Sequence, residues 1–158
     1  MHAVYLQAYI KTGNHISFNP AYLYLGRDNP SLLQEHTFLH GIIFSFPAGK
    51  LLIDDRNVLW NRFRGHSGDI HYYRNRLRLF LPLRYHSIKP YVFGEAFYFF
   101  NRGRWSRKRI AGGVAGDVSE RFSIDITYIH ERDYYNGATH IVFIMGTWQF
   151  PALNGKIK

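Results

Sequence analysis

The sequence contains no cysteine, which removes disulfides and thiolate metal sites from consideration. Long apolar runs are missing too. No run exceeds the one from Ile141 to Met145, far below the roughly 18 residues a spanning helix needs. A helical membrane protein is thereby excluded. Acidic residues are scarce, 11 against 20 Lys and Arg, for a formal net charge of +9. Such a balance suits nucleic acid, an anionic surface or an anion-attracting channel, and the placement of the charges decides between them. The common site motifs HExxH, GxxxxGK[ST] and GxGxxG do not occur. The opening residues Met1 to Gln7 have neither the basic start nor the long apolar centre of a secretory signal.

Aromatic residues, by contrast, make up 18% of the 158 residues, with 12 Tyr and 13 Phe. These residue types favour strands and also populate membrane interfaces. Polar and apolar positions alternate at period two between polar turns, which predicts strands over 3–11, 15–25, 35–46, 51–64, 70–81, 90–100, 107–116, 121–131 and 139–150. A tilted transmembrane β-strand takes about 9–11 residues, whereas soluble strands run nearer 5–6. The pattern therefore predicts an all-β chain: an antiparallel up-and-down barrel of transmembrane type over residues 1–150, with a tail over 151–158.

The segment 70–81 carries the clearest signal. Arg74, Arg76 and Arg78 alternate with Tyr73, Leu77, Leu79 and Leu81. In a membrane barrel the leucine row meets lipid and the arginines face a wet lumen, because an arginine turned to lipid costs about 2–4 kcal/mol near the midplane. A turn centred near Tyr85 and His86 places Glu95 opposite Arg76. A tight turn around Asp117 and Val118 brings Asp125 near Arg109. Segment 51–64 is mixed: Arg56, Arg62 and Arg64 share a face with Val58 and Trp60, while Asp55 and Asn57 interrupt the apolar face. Either a bulge or projection beyond the bilayer accounts for that. Pro20 demotes 15–25 toward an edge or a bulge.

Two sets of connections alternate along the chain. Thr12–Asn14, Pro47–Lys50, Leu83–Lys89 and Asp117–Glu120 read as the tighter, periplasmic set; Gly26–Gln34, Gly65–Asp69, Asn101–Ser106 and Arg132–Ala138 read as external. About nine strands is an odd number where such barrels are even. Taken with the missing signal, this predicts that the sequence is a fragment or begins at a wrong start codon, and that the intact barrel has 10–12 strands.

Several segments in order, namely Tyr72-Tyr73-Arg74-Asn75-Arg76-Leu77-Arg78-Leu79, Lys89-Pro90-Tyr91-Val92-Phe93-Gly94-Glu95-Ala96-Phe97, Asn101-Arg102 and Arg109-Ile110-Ala111-Gly112-Gly113-Val114, resemble a bacterial family of predicted outer membrane β-barrels known only as a domain of unknown function. The resemblance covers roughly residues 15–150. It implies a barrel and an outer membrane location, with outer membrane lipid as the surroundings, and no particular activity. The last strand also looks like a barrel-assembly signal, with Gly146, Trp148 and Phe150 in alternation, which implies the assembly machinery as a partner.

The candidate site is the set of lumen charges Arg62, Arg64, Arg74, Arg76, Arg78, Glu95, Arg109 and Asp125. They either line an anion-attracting pore or form a salt-bridged ladder filling a narrow lumen, and the second is favoured because small barrels are largely filled by side chains. No metal site is expected: His36 and His40 share a face but lie about 13 Å apart at strand rise. Gly112, Gly113 and Gly116 read as relief of crowding in a strand. No catalytic residues and no cofactor are assigned, since Ser45, His71 and Asp125 are linked by no motif. The competing reading is a soluble barrel that binds an anionic ligand or single-stranded nucleic acid through arginines and stacking rings. The alternation of arginine with leucine rather than exposed aromatics argues against nucleic acid.

Overall fold

The computed structural model of the chain describes residues 2–26, 34–65, 68–81 and 87–148. Within them the alternating segments become β1 (His2–Gln7), β2 (Ile10–Lys11), β3 (Ile16–Gly26), β4 (Gln34–Ala48), β5 (Leu51–Arg64), β6 (Ile70–Phe80), β7 (Ile88–Phe99), β8 (Arg104–Asp117), β9 (Phe122–Asp133) and β10 (Gly137–Trp148). One helical turn, Phe100–Arg102, links β7 to β8. The strands form one antiparallel sheet in the order β1-β3-β4-β5-β6-β7-β8-β9-β10, with β2 beside β3. The sheet is up-and-down and curls into a half-barrel. Successive antiparallel pairing makes the two outermost strands, β1 and β10, run in the same direction.

Period-two alternation gives the sheet two unlike faces. Apart from Ser106, every buried side chain of the core lies on one of them, including Asn19, Leu39, Val58, Tyr72, Tyr91, Phe93, Glu95, Phe97 and Thr127. This is the concave face. The other face exposes Leu6, Phe38, Ile42, Phe44, Leu77, Val92, Val114 and Ile126, with Ile110 at 72% and Ile144 at 68% exposure.

The local irregularities have identifiable causes. Pro20 sits in the paired strand β3 rather than at an edge, opposite His40. Its carbonyl accepts the Ala8 amide at 3.0 Å, so its ring nitrogen faces the same neighbour and offers no proton. The neighbouring strand breaks there, between β1 and β2. Asn19 supplies the missing donor: its Nδ2 bonds the Ala8 carbonyl at 2.7 Å. In β8 the register shifts between Phe97 and Tyr98 of its partner, an extra residue at Ser106. The loop expected over 101–106 is therefore shorter, and the strand begins at Arg104. No bulge occurs in β5, which pairs in continuous register with both neighbours. Connections at the two ends of the sheet overlap in length, 49–50 and 81–87 at one end against 134–136 and 27–33 at the other, so the expected contrast between short and long sets is absent.

Candidate functional site

The centre of the concave face is a row of directly opposed charges. Arg56 of β5 faces Arg76 of β6; Arg76 faces Glu95 of β7; Glu95 faces Arg109 of β8; Arg109 faces Glu131 of β9. Each pairing follows from strand register alone, because residues directly opposite share a face. Glu95 is the hub. Its side chain is 1% exposed, and burying a lone carboxylate would be prohibitive without partners. Oε1 accepts from Nε of Arg74 at 2.9 Å and from Nη2 of the same residue, while Oε2 accepts from Nη1 of Arg109 at 3.3 Å. Arg76 Nε stands 3.9 Å from Oε1, within ion-pair range but beyond a hydrogen bond.

Further pairs extend the row along the strands. Arg62 holds Glu35 with both prongs of its fork, at 3.0 and 2.7 Å, and Thr37 donates to the same carboxylate. This bidentate geometry is the stronger form of the contact. Arg78 bonds Asp54 at 3.0 Å, and Ser45 donates to Asp54 at 2.7 Å. Arg107 bonds Asp133 at 2.9 Å, and Arg109 bonds Glu131 at 2.5 Å. Asp133 closes the β9–β10 turn by accepting the amides of Tyr135 and Asn136.

Aromatic rings pack between the charges. Trp60 stacks on Tyr72 at 5.3 Å and Tyr72 on Phe99 at 5.0 Å. Guanidinium groups lie over ring faces: Arg78 over Phe80 at 4.3 Å, Arg109 over Phe97 at 4.9 Å and Arg76 over Phe93 at 5.5 Å. The interior of the half-barrel is thus layered with ion pairs and rings.

Of the residues expected to line a lumen, Arg62, Arg74, Arg76, Arg78, Glu95, Arg109 and Asp125 lie on this face. Glu95 is opposite Arg76, as its turn position implied. Arg64 shares the face but sits at the strand end, bonded to the Gly68 carbonyl at 3.0 Å. Asp125 does not meet Arg109. It lies opposite Ala115 and accepts from Tyr91, because the β8–β9 turn is centred further along the chain than Asp117 and Val118. Ser119 fixes that turn, its hydroxyl accepting the amides of Arg121 and Phe122 at 3.3 and 3.1 Å. Arg56, Arg107, Glu131, Asp54, Glu35 and Asn19 complete the network, and parity with Arg62 was the available signal for Arg56.

Other candidates separate. Ser45 and Asp125 are on the concave face, whereas His71 is on the convex face, bonded to Asn61 at 3.0 Å. No group of three metal-ligating side chains forms among the described residues. Gly113 relieves crowding as expected: a Cβ there would stand 2.6 Å from the Tyr91 ring. Gly146 leaves room for the Phe122 ring, 3.1 Å from the Cβ position, and Trp148 packs on that ring at 6.0 Å. Phe150 lies outside the described residues. On the convex face Asp55 and Asn57 are joined to Asn75 by its Nδ2, at 2.7 and 3.0 Å, and Tyr73 donates to Asn57.

Fold and site together define a class: an all-β protein whose up-and-down antiparallel sheet curls around a charged, salt-bridged concave face and presents an apolar convex one. Over residues 3–141 the chain matches the family described as protein of unknown function (DUF2490), and it belongs to that family. No curated protein and no solved structure is similar to it.

Proposed function

We propose that this chain forms the wall of an outer membrane β-barrel, with an arginine-lined interior filled by its own ion pairs and a structural or narrow-channel role without catalysis. The observation that carries the reading is the division of the two faces. Soluble monomers rarely expose contiguous apolar patches beyond a few hundred Å², yet here β4, β6, β8, β9 and β10 all present exposed aliphatic or aromatic side chains on the convex side. Lipid tails satisfy that surface, and outer membrane lipid is the surrounding partner. The ladder around Glu95 favours a filled interior over an open pore, since Arg74 and Arg109 are both bonded to its carboxylate.

Aromatic residues support the same reading by their position. Tyr73, Tyr98 and Trp105 cluster at one end of the convex face, with ring separations of 6.1 Å for Tyr73–Trp105 and 5.5 Å for Tyr98–Trp105. Phe122 and Trp148 pair at the other end. Rings in two belts suit the two interfaces of a bilayer. The polar group Asp55, Asn57 and Asn75 is tolerable there because its members bond one another. Gly146 and Trp148, with Phe150, are the features the barrel-assembly machinery would read. Nucleic acid is not a proposed partner: the rings under Arg74, Arg76 and Arg109 of the concave face are Phe97 and Phe93, and their burial closes them to a stacking base.

Spin labels test the reading. Labels at positions 77 and 79 should be quenched by oxygen dissolved in lipid, and labels at 76 and 78 should report a polar, lipid-free setting. Recovery of the full chain in the soluble fraction without detergent would refute membrane residence and favour the soluble anion-binding barrel.

A further inference from the structure

The charge row alternates in sign from Arg76 to Glu131 and fails at one place. Arg56 and Arg76 are directly opposite each other, an arrangement that destabilises a sheet unless something offsets it. Neither guanidinium has a hydrogen bond to a carboxylate among the described residues. Arg56 donates through Nη2 to the neutral side-chain oxygen of Asn19, which also accepts from Gln7 at 2.8 Å. Arg76 approaches Glu95 no nearer than 3.9 Å, and both oxygens of Glu95 are already taken by Arg74 and Arg109.

The unmet donors concentrate at the same spot. The Nε atoms of Arg56, Arg76 and Arg78 are buried and lack a hydrogen-bond partner, which is unusual for charged groups. The side chain of Arg76 keeps 17% exposure, and with Nε dry, its terminal nitrogens are what open to the concavity. Its guanidinium carbon lies over the Phe93 ring, 5.5 Å from the centre, and that of Arg78 over the Phe80 ring at 4.3 Å. The forks are therefore pre-oriented. With Nη2 of Arg56 on Asn19 and Nη2 of Arg78 on Asp54, the fork of Arg76 and the second terminal nitrogen of Arg56 are left to match an acceptor of several oxygens and more than one negative charge, because planar guanidinium groups recognise such oxyanions by parallel hydrogen bonds.

We propose that the concave face binds a phosphate group between Arg56 and Arg76, with Arg78 as the neighbouring positive charge. The site rests on the reading of this face as an enclosed, arginine-lined interior. It does not rest on what covers the convex face. The phosphate could belong to a soluble ion or to a lipid headgroup, and the chemistry of recognition is the same.

The test uses the full chain folded in a phosphate-free neutral detergent. Thermal unfolding and calorimetric titration are followed with inorganic phosphate, with short-chain phosphatidic acid added to the micelles, and with chloride at matched ionic strength. A saturable, phosphate-dependent rise in the unfolding temperature is expected, with chloride giving none. R56Q and R76Q should each weaken it by about tenfold or more, the scale of one charged hydrogen bond; K89Q, in the exposed pair with Asp117, should leave it unchanged. R76K, which keeps the charge and loses the fork, should fall between wild type and R76Q, and circular dichroism of each variant establishes that it is folded. A response to inorganic phosphate assigns a soluble ligand, and a response to phosphatidic acid alone assigns a headgroup. No effect of either inorganic phosphate or phosphatidic acid beyond that of chloride, or binding untouched in folded R56Q and R76Q, would overturn the site. Spin-label accessibility of positions 77 and 79 is measured separately, so failure here leaves membrane residence undecided by this result.

Discussion

Removing the hub carboxylate is the sharpest probe of the ladder. In Glu95→Ala, Arg74 loses two contacts at once and Arg109 loses one of its two carboxylates, while Arg76 loses its nearest negative charge. Breaking a buried ion pair by deleting one partner destabilises by about 3–5 kcal/mol. Here the three arginines keep 17–20% exposure, so water relieves part of the unpaired charge and about 3 kcal/mol is expected. Glu95→Gln retains one acceptor oxygen and should lose about 2 kcal/mol, the scale of a hydrogen bond to a charged group. The control is Asp117→Asn, whose Lys89 pair is 53% and 48% exposed and should change stability by less than about 0.5 kcal/mol. Urea unfolding in detergent micelles, read by tryptophan fluorescence, measures all three, because Trp60 stacks on Tyr72 in the same interior. Adding R76Q to Glu95→Ala removes an uncompensated positive charge and should recover part of the loss. If Glu95→Ala and Asp117→Asn unfold at the same midpoint, the ladder does not hold the interior together.

Four further outcomes follow from the geometry. Gly113→Ala places a Cβ 2.6 Å from the Tyr91 ring and 2.9 Å from the Ile126 carbonyl, so a loss of about 1–3 kcal/mol is expected, and Tyr91→Phe, which drops the bonds to Asp125 and Thr127, should cost about 1–2 kcal/mol; both are read by the same unfolding assay. Asn19→Ala removes the donor that stands in for Pro20 and the acceptor used by Gln7 and Arg56, and amide exchange in β1 should accelerate while β6 to β9 stay protected. Asp133→Asn leaves one neutral acceptor for the Arg107 guanidinium and the Tyr135 and Asn136 amides, and should cost about 1–2 kcal/mol at neutral pH in the urea assay.

The faces of the sheet were legible in the sequence; its register was legible only in part. Arg74, Arg76 and Arg78 alternate so strictly with leucine that one polarity assignment survives, and the pairing of Arg76 with Glu95 followed from a turn midway between them. The same method misplaced Arg109. The stretch Asp117-Val118-Ser119-Glu120-Arg121 is polar nearly throughout, so composition does not say where the chain reverses. The Ser119 hydroxyl decides it, by accepting two amides after the reversal, and the partner of Arg109 becomes Glu131. Pro20 misled in a different way. Its missing donor was read as a mark against central pairing, but the penalty falls on one neighbour only, and Asn19 repairs it from the adjacent position.

Curvature is carried by side-chain volume rather than by polarity. On the concave face of β8 the inward positions after Arg109 are Ala111, Gly113 and Ala115, between Tyr91 and Phe93 of β7 and Thr127 and Ile129 of β9. Small residues there let Tyr91 lie across its neighbouring strand and reach the one beyond, where it bonds Asp125 and Thr127. On β4 the equivalent place is Gly41, flanked by Asn19 and Val58, and Arg56 reaches over that strand to Asn19. In both cases a long polar side chain spans an intervening strand, a contact that shortens as the sheet bends and is lost as it flattens. Alternation of small and large inward residues is how a narrow barrel fits its contents. The arginine and tyrosine contacts are therefore cause and consequence of the same bend, and a volume added at Gly113 should open the sheet and release Asp125 together.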